Sequence, residues 1–178
     1  MEALARLNHP SHGTILPDLF VPQIEDAGLA PQLTEAVSAR ALADLAPGRI
    51  WIKLPITRAG VEAARALQAD ELPITFTACY EAAQVLPAVA LGADYIAPYL
   101  GRISDLGRDG HAELIRMQRA VDALGSPLRL LVASLRSTDD LARLAAEGLN
   151  TFTISAAIAE QLFAVEATEA TALQFELD

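Results

Sequence analysis

Lysine occurs once in this chain. Of the 13 residues that are Lys or Arg, Lys53 is the single lysine, and arginine fills every other cationic position. Its surroundings, Ile50-Trp51-Ile52-Lys53-Leu54-Pro55-Ile56, form one of the most apolar stretches of the sequence. Two readings stand for it. One is a snorkelling side chain at a strand end, with its stem buried and its charge in water. The other is a desolvated amine of depressed pKa, neutral enough to attack a carbonyl and form a Schiff base. Arginine cannot do that chemistry, because its guanidinium stays protonated. Imine chemistry also needs a proton shuttle, both for the carbinolamine and for carbon–carbon cleavage. Tyr99 offers a phenol for that role, and Thr77 a hydroxyl that could hold a catalytic water. The plainer readings are a core tyrosine with a satisfied hydroxyl and a threonine chosen as a β-former.

The elements that must position these groups follow from periodicity and punctuation. From residue 47 onward, short β-type runs alternate with helical segments. Strands are predicted over 49–55, 73–80, 94–99, 128–135 and 151–155. Helices are predicted over 58–69, 81–92, 110–124, 138–147, 156–165 and 169–175, with a loop between the third strand and the helix that begins at 110. Gly48, Gly92, Gly125 and Gly148 mark the boundaries, as turn and C-cap residues should. Upstream, 33–45 reads as a helix and 18–24 as a sixth strand, although Pro22 weakens the latter. Successive βα units with short connections mean a parallel sheet, either barrel or doubly wound. No Gly-rich phosphate loop of the Rossmann or P-loop kind occurs. Lys53, Thr77, Tyr99, Ser134 and Ser155 gather at the C-terminal ends of successive strands, which is where β/α barrels keep their chemistry, and this favours the barrel. Strand alternation puts Lys53 on one face with Trp51, Thr77 with Thr75, Tyr99 with Tyr95, and Ser134 with Leu130 and Val132.

Composition narrows the function classes. With 178 residues, 52% hydrophobic and 20% charged, the chain fits one soluble globular domain, residues 1–178, and no run is long enough to span a bilayer. The N-terminus lacks a signal-type apolar region, so the expected compartment is the cytoplasm. The net charge of −10 argues against nucleic acid as a partner. It leaves room for a phosphorylated sugar, which two or three local arginines can hold. The single cysteine, Cys79, excludes an internal disulfide and a Cys-based metal cage. His9 and His12 have no nearby third ligand and read as loop residues, so no metal is expected.

Three stretches carry a family resemblance: WIKLPIT (51–57), PITFTACYEAAQVLPAVALGADYIAPYLGRISDLGRDG (73–110) and LLVASLRSTDDL (130–141). They resemble the transaldolase family, and within it the small, fructose-6-phosphate aldolase-like branch, from about residue 33 to 175. The motifs, in order, are Lys-aliphatic-Pro-aliphatic-Thr, Thr-Ala-x-Tyr-x-Ala-Ala-Gln, and Tyr-Ile-Ala-Pro-Tyr-x-x-Arg-Ile. The resemblance implies an α/β fold of the (β/α)8 TIM-barrel type, of which about six βα units are identifiable here. It implies a Schiff-base lysine at Lys53, a water-holding Thr77 and an acid/base Tyr99. It assigns Arg102, Ser134 and Arg136 to a substrate phosphate and Gln23 to a strand-three amide that binds substrate. The implied activity is class I aldolase or transaldolase chemistry on a ketose phosphate such as fructose 6-phosphate, of pentose-phosphate type. No cofactor is implied; the partner is a small sugar phosphate, and a homo-oligomer is left open. A tyrosine at position 99 goes with the direct aldolases of the family, a phenylalanine with transaldolases.

Two family motifs are absent: the first-strand Leu-Asp-Thr-Ala/Ser-Asp and the second-strand Thr-Thr-Asn-Pro-Ser/Thr. Their absence reads as an N-terminally truncated member or a variant that closes the barrel differently. It also keeps a second function in view, a non-catalytic, degenerate barrel that binds sugar phosphates or acts in assembly.

Overall fold

The computed structural model describes residues 7–9, 13–15, 51–68 and 72–176. Contacts divide the chain into two compact units, 1–52 with 57–74 and 53–56 with 75–178. In the first, β1 (Leu7–His9) and β2 (Gly13–Ile15) form an antiparallel hairpin in which Asn8 pairs with Thr14. This corrects the loop reading of His9, which is the last residue of a strand. The same unit holds α1 (Arg58–Gln68). Thr57 Oγ1 accepts from the Gly60 N–H at 3.1 Å and so caps α1. Gly60, Ala64 and Leu67 form its buried stripe, four and three residues apart as a helix face requires.

The second unit is built on a five-stranded sheet of order β3-β4-β5-β6-β7. The strands are β3 (Ile52–Pro55), β4 (Ile74–Cys79), β5 (Tyr95–Pro98), β6 (Arg129–Val132) and β7 (Thr151–Phe152). The pairs from β4 to β7 are parallel. Consecutive strands are neighbours throughout. A doubly wound sheet reverses its strand order at a switch point, whereas this order is the one a β/α barrel uses. All five strands from 49 onward are therefore found; the sixth, at 18–24, and the helix at 33–45 lie outside the described residues.

One face of the sheet is fully buried. Phe76, Ile96 and Leu130 stand abreast on it, with Leu54 and Val132 also buried. The helices of this unit are α2 (Val85–Ala90), α3 (Leu100–Asp105), α4 (Gly110–Ala123), α5 (Thr138–Ala146), α6 (Ala156–Gln161) and α7 (Glu166–Phe175). Central among them is α4, which packs beside α2, α3 and α5 and buries Leu114, Met117 and Val121. Asp109 caps α4 by accepting from the Ala112 N–H, and Ser137 and Asp140 form a capping box on α5. Gly92, Gly125 and Gly148 all take positive φ, as the turn readings required.

Several boundaries differ from expectation: the helix at 156–165 ends at Gln161, the last helix begins at Glu166, and three further differences have a local cause. The helix over 81–92 is broken: residues Ala82–Gln84 form a 3-10 turn, and α2 begins only at Val85. Gln84 Oε1 accepts from the N–H groups of both Tyr80 and Glu81, which tightens the chain there. The loop after β5 contains α3, a helix of six residues, too short to show a periodicity. Ser155 is a helix cap and not a strand residue, since its hydroxyl accepts from the Ile158 N–H and β7 stops at Phe152.

Candidate active site

The sheet face opposite Phe76, Ile96 and Leu130 carries the polar side chains. Along β3 burial alternates, with Ile52 and Leu54 buried and Lys53 and Pro55 exposed. Trp51 is 48% exposed. Thr75 pairs with Tyr95 and Tyr95 with Arg129, so these three form a row in which Thr75 is buried, Tyr95 half-buried and Arg129 exposed. Lys53 is exposed and not desolvated. The physical reason is position: β3 is the edge strand of the described sheet, and alternation turns the lysine away from the buried face.

Thr77 and Tyr99 come together directly. Thr77 Oγ1 lies 2.8 Å from the Tyr99 hydroxyl, and both residues are half-buried. A β-bulge sets up this contact. Phe76 pairs with Ile96, but Cys79 pairs with Pro98, so β4 carries one extra residue between them. Within the bulge Ala78 takes φ 55°, an uncommon conformation for a residue with a Cβ. Bulges of this kind re-aim side chains beside functional sites. Tyr99 continues β5 through a parallel bridge to Ala133 and then enters α3. Its ring meets Tyr80 edge-on, with centroids 5.7 Å apart, and the Arg102 guanidinium lies over its face at 4.7 Å.

The three residues expected at a phosphate form a second cluster, built from the segments that follow β5 and β6. Ser134 does not continue the strand face of Leu130 and Val132. That face is the buried one, and Ser134 leaves it through φ 59°, which ends the alternation. Its carbonyl accepts from the Gly101 N–H at 2.9 Å. A Cβ on Gly101 would sit 2.6 Å from that carbonyl oxygen, 2.6 Å from Arg136 Nε and 3.0 Å from Ser134 Oγ, so only glycine fits. Arg136 therefore stands beside residue 101, and Arg102 is its sequence neighbour. The Arg136 guanidinium is paired with Asp105, whose carboxyl is held below its ordinary pKa by that hydrogen bond. The Arg136 N–H donates to Asp140 at 3.0 Å. Burial pushes the Asp140 carboxyl up, but donation from the Arg136 and Ser137 N–H groups and the Ser137 hydroxyl outweighs it, and its pKa is lowered. Gln23 lies outside the described residues.

Several residues of this region were not singled out from sequence. Tyr80 and Gln84 stand in the Thr-Ala-x-Tyr-x-Ala-Ala-Gln motif, which was the available signal. Glu113 falls on the buried stripe of α4 with Gly110, Leu114 and Met117, so its helical spacing marks it as a carboxylate among core positions. Asp105 carried no signal. Cys79 is buried, which pushes its thiol up to about 12 and leaves it unfit as a nucleophile. Among the described residues no helix is long and apolar enough to cross a membrane.

A parallel sheet with sequential strand order, and hydroxyl and guanidinium groups gathered where strands end, defines a β/α-barrel type of protein. Residues 26–177 match the family described as Transaldolase/Fructose-6-phosphate aldolase, and the chain belongs to that family, whose fold is a TIM barrel. A "Probable fructose-6-phosphate aldolase" of Streptococcus pneumoniae is 36% identical over 116 residues, covering 65% of this chain and 52% of its own. A "Probable transaldolase" of Caulobacter vibrioides is 34% identical over 162 residues, covering 89% of this chain and 74% of its own. The chain thus spans about half the length of the first relative and about three-quarters of the second. Among solved structures, the c-di-GMP complex of the phosphodiesterase PaMucR matches with TM-score 0.41 at 20% identity, over 84% of this chain and 79% of its own. That likeness is too loose to bear on function.

Proposed function

We propose that this protein is a class I aldolase or transaldolase acting on ketose phosphates such as fructose 6-phosphate, with Lys53 as the imine-forming residue. The observation that carries the reading is the 2.8 Å contact between Thr77 Oγ1 and the Tyr99 hydroxyl, which joins an acid/base candidate to a water-holding hydroxyl. Lys53 lies on the strand next to Thr77: the Ile56 N–H donates to the Thr77 carbonyl at 2.9 Å. Exposure leaves its amine within reach of an incoming carbonyl.

In this mechanism the neutral Lys53 amine adds to the ketose C2 carbonyl, and the carbinolamine loses water to give the imine. Tyr99 gives its proton to the departing hydroxyl in that dehydration, so the imine forms as the iminium, and the resulting phenolate takes the proton from the C4 hydroxyl as the C3–C4 bond breaks. The electron pair passes into the iminium and leaves an enamine of the dihydroxyacetone unit, while the remaining carbons depart as an aldehyde. The enamine then either takes a proton and is hydrolysed, or attacks an acceptor aldehyde. Thr77 holds the water of the dehydration and hydrolysis steps. Arg102, Ser134 and Arg136 bind the phosphate, a set suited to charge-assisted hydrogen bonding. Gln23 is assigned to substrate binding as the strand-three amide. We place this activity in the cytoplasm, within sugar-phosphate metabolism of the pentose-phosphate type. Membership in a family of enzymes weighs against a purely non-catalytic barrel.

The test is turnover. The protein should release an aldehyde from fructose 6-phosphate, alone or with an acceptor aldehyde present, and Lys53→Arg should abolish it because arginine keeps the charge but cannot form the imine. Equal turnover in the parent and Lys53→Arg would reject the reading.

A further inference from the structure

The phenol of Tyr99 is placed by more than its own strand. One edge contact comes from Tyr80, and the Tyr80 backbone is held at both of its polar groups. Its N–H donates to Gln84 Oε1 at 2.8 Å, and its carbonyl accepts from Arg108 Nη1 at 3.1 Å. Arg108 stands between α3 and α4. Both of its terminal nitrogens also meet the Glu81 carboxylate, and Nη2 lies 3.2 Å from Glu113 Oε2. Glu113 is only 6% exposed. Its Oε1 accepts from the Ala82 N–H, and its Oε2 meets Arg116 at 3.2 Å. A carboxylate so deeply placed is uncommon unless paired, and here two arginines pair it.

One side chain therefore ties three successive features of a single segment. Arg108 reaches the Tyr80 carbonyl and the Glu81 side chain directly, and through Glu113 it reaches the Ala82 amide. A guanidinium can do this because its donors are spread over a rigid fork; a lysine ammonium at the same place could not serve so many separated acceptors. The segment clamped in this way begins at Tyr80, directly after the β4 bulge that contains Thr77, and carries the ring that abuts Tyr99. Resting on the reading of Tyr99 as the acid/base, we propose that Arg108 is a positioning residue. By fixing the Tyr80–Ala82 backbone it keeps the Tyr80 ring edge-on against Tyr99, and so holds the phenol where it meets Thr77. Arg108 itself touches no reacting atom.

The chain has 3 tyrosines, Tyr80, Tyr95 and Tyr99, which makes a ring-specific readout practical. The protein labelled with 3-fluorotyrosine gives one fluorine resonance per ring, assigned with Tyr80→Phe and Tyr95→Phe. Arg108→Met should move the Tyr80 and Tyr99 resonances and leave that of Tyr95 in place. It should lower kcat about tenfold or more, the scale of a small misplacement of a catalytic group, with KM changed by no more than about twofold. Arg108→Lys should restore part of both effects. Tyr80→Leu, which keeps the backbone clamp but removes the ring, should reproduce the loss of kcat, and it serves equally if Arg108→Met does not fold. Arg116→Met, which also removes a partner of Glu113, should disturb neither Tyr80 nor Tyr99. Movement of all three resonances together, movement of none, or equal effects of Arg116→Met and Arg108→Met would overturn the proposal. The resonance shifts are read without turnover, so they decide the positioning role even if Tyr99→Phe proves harmless and the acid/base reading falls.

Discussion

Replacing Tyr99 by phenylalanine separates a catalytic phenol from a structural one, because the two roles predict effects of different size. The hydroxyl makes a hydrogen bond with Thr77 Oγ1, at 2.8 Å. A bond of that kind contributes about 1 kcal/mol net. In a protein of this size that corresponds to about 2–4 °C of melting temperature. If the phenol is the acid/base, its loss should lower aldol cleavage about 10²-fold or more. That is a barrier increase of about 2.7 kcal/mol, well beyond the stability change. Thr77→Val should cost a similar amount of stability, and the double variant no more than either single one plus a few tenths, since both remove the same bond. The coupling from the double-mutant cycle should therefore be about 1 kcal/mol. The assays are denaturant unfolding and release of aldehyde from fructose 6-phosphate. The resemblance to transaldolases adds a sign: Tyr99→Phe should depress cleavage more than transfer to an added aldehyde acceptor. Undiminished cleavage in Tyr99→Phe, in a parent that cleaves, would show that the hydroxyl only ties two strands together.

Gly101→Ala should destabilise the protein by about 1–3 kcal/mol, because its Cβ would lie 2.6 Å from the Ser134 carbonyl oxygen. It should also raise KM for a phosphorylated ketose more than for an unphosphorylated one, as steady-state kinetics on both substrates would show. Cys79 should resist iodoacetamide in the native protein at pH 8 and react once urea unfolds it, as mass spectrometry would register. Its thiol is raised by burial from 9.0 to about 12, so the folded state holds the proton more tightly than the unfolded one. That contribution to stability is fully present below pH 9 and is lost as pH rises towards 12, which urea midpoints measured from pH 8 upward would follow.

The strands β3 to β6 were legible in the sequence because their burial alternates or runs continuously over four to six residues, and Gly92, Gly125 and Gly148 close the helices that follow. Lys53 announced itself by being the single lysine, and Thr77 and Tyr99 by standing at strand ends. What was not legible depends on backbone irregularity and on contacts distant in sequence. The bulge at Ala78 and the left-handed turn at Ser134 carry no glycine, so nothing in the residue types marks them. The break at 82–84 comes from Gln84 turning its amide back onto Tyr80 and Glu81, a side-chain choice that periodicity does not register. Exposure of Lys53 follows from its place on the edge strand of the described sheet, which is a property of the sheet and not of the apolar residues around it. Asp105 and Arg136 are 31 positions apart, and their pairing follows only once α3 is known to exist.

The most direct measurement is reductive trapping. Sodium borohydride added during incubation with fructose 6-phosphate would fix any imine, and because Lys53 is the single lysine the peptide map has only that side chain and the α-amine to distinguish. One sugar-derived mass should be added on the peptide that contains Lys53, absent from Lys53→Ala and retained in Tyr99→Phe. An adduct confined to the α-amine, or no adduct from a protein that turns the substrate over, would contradict it.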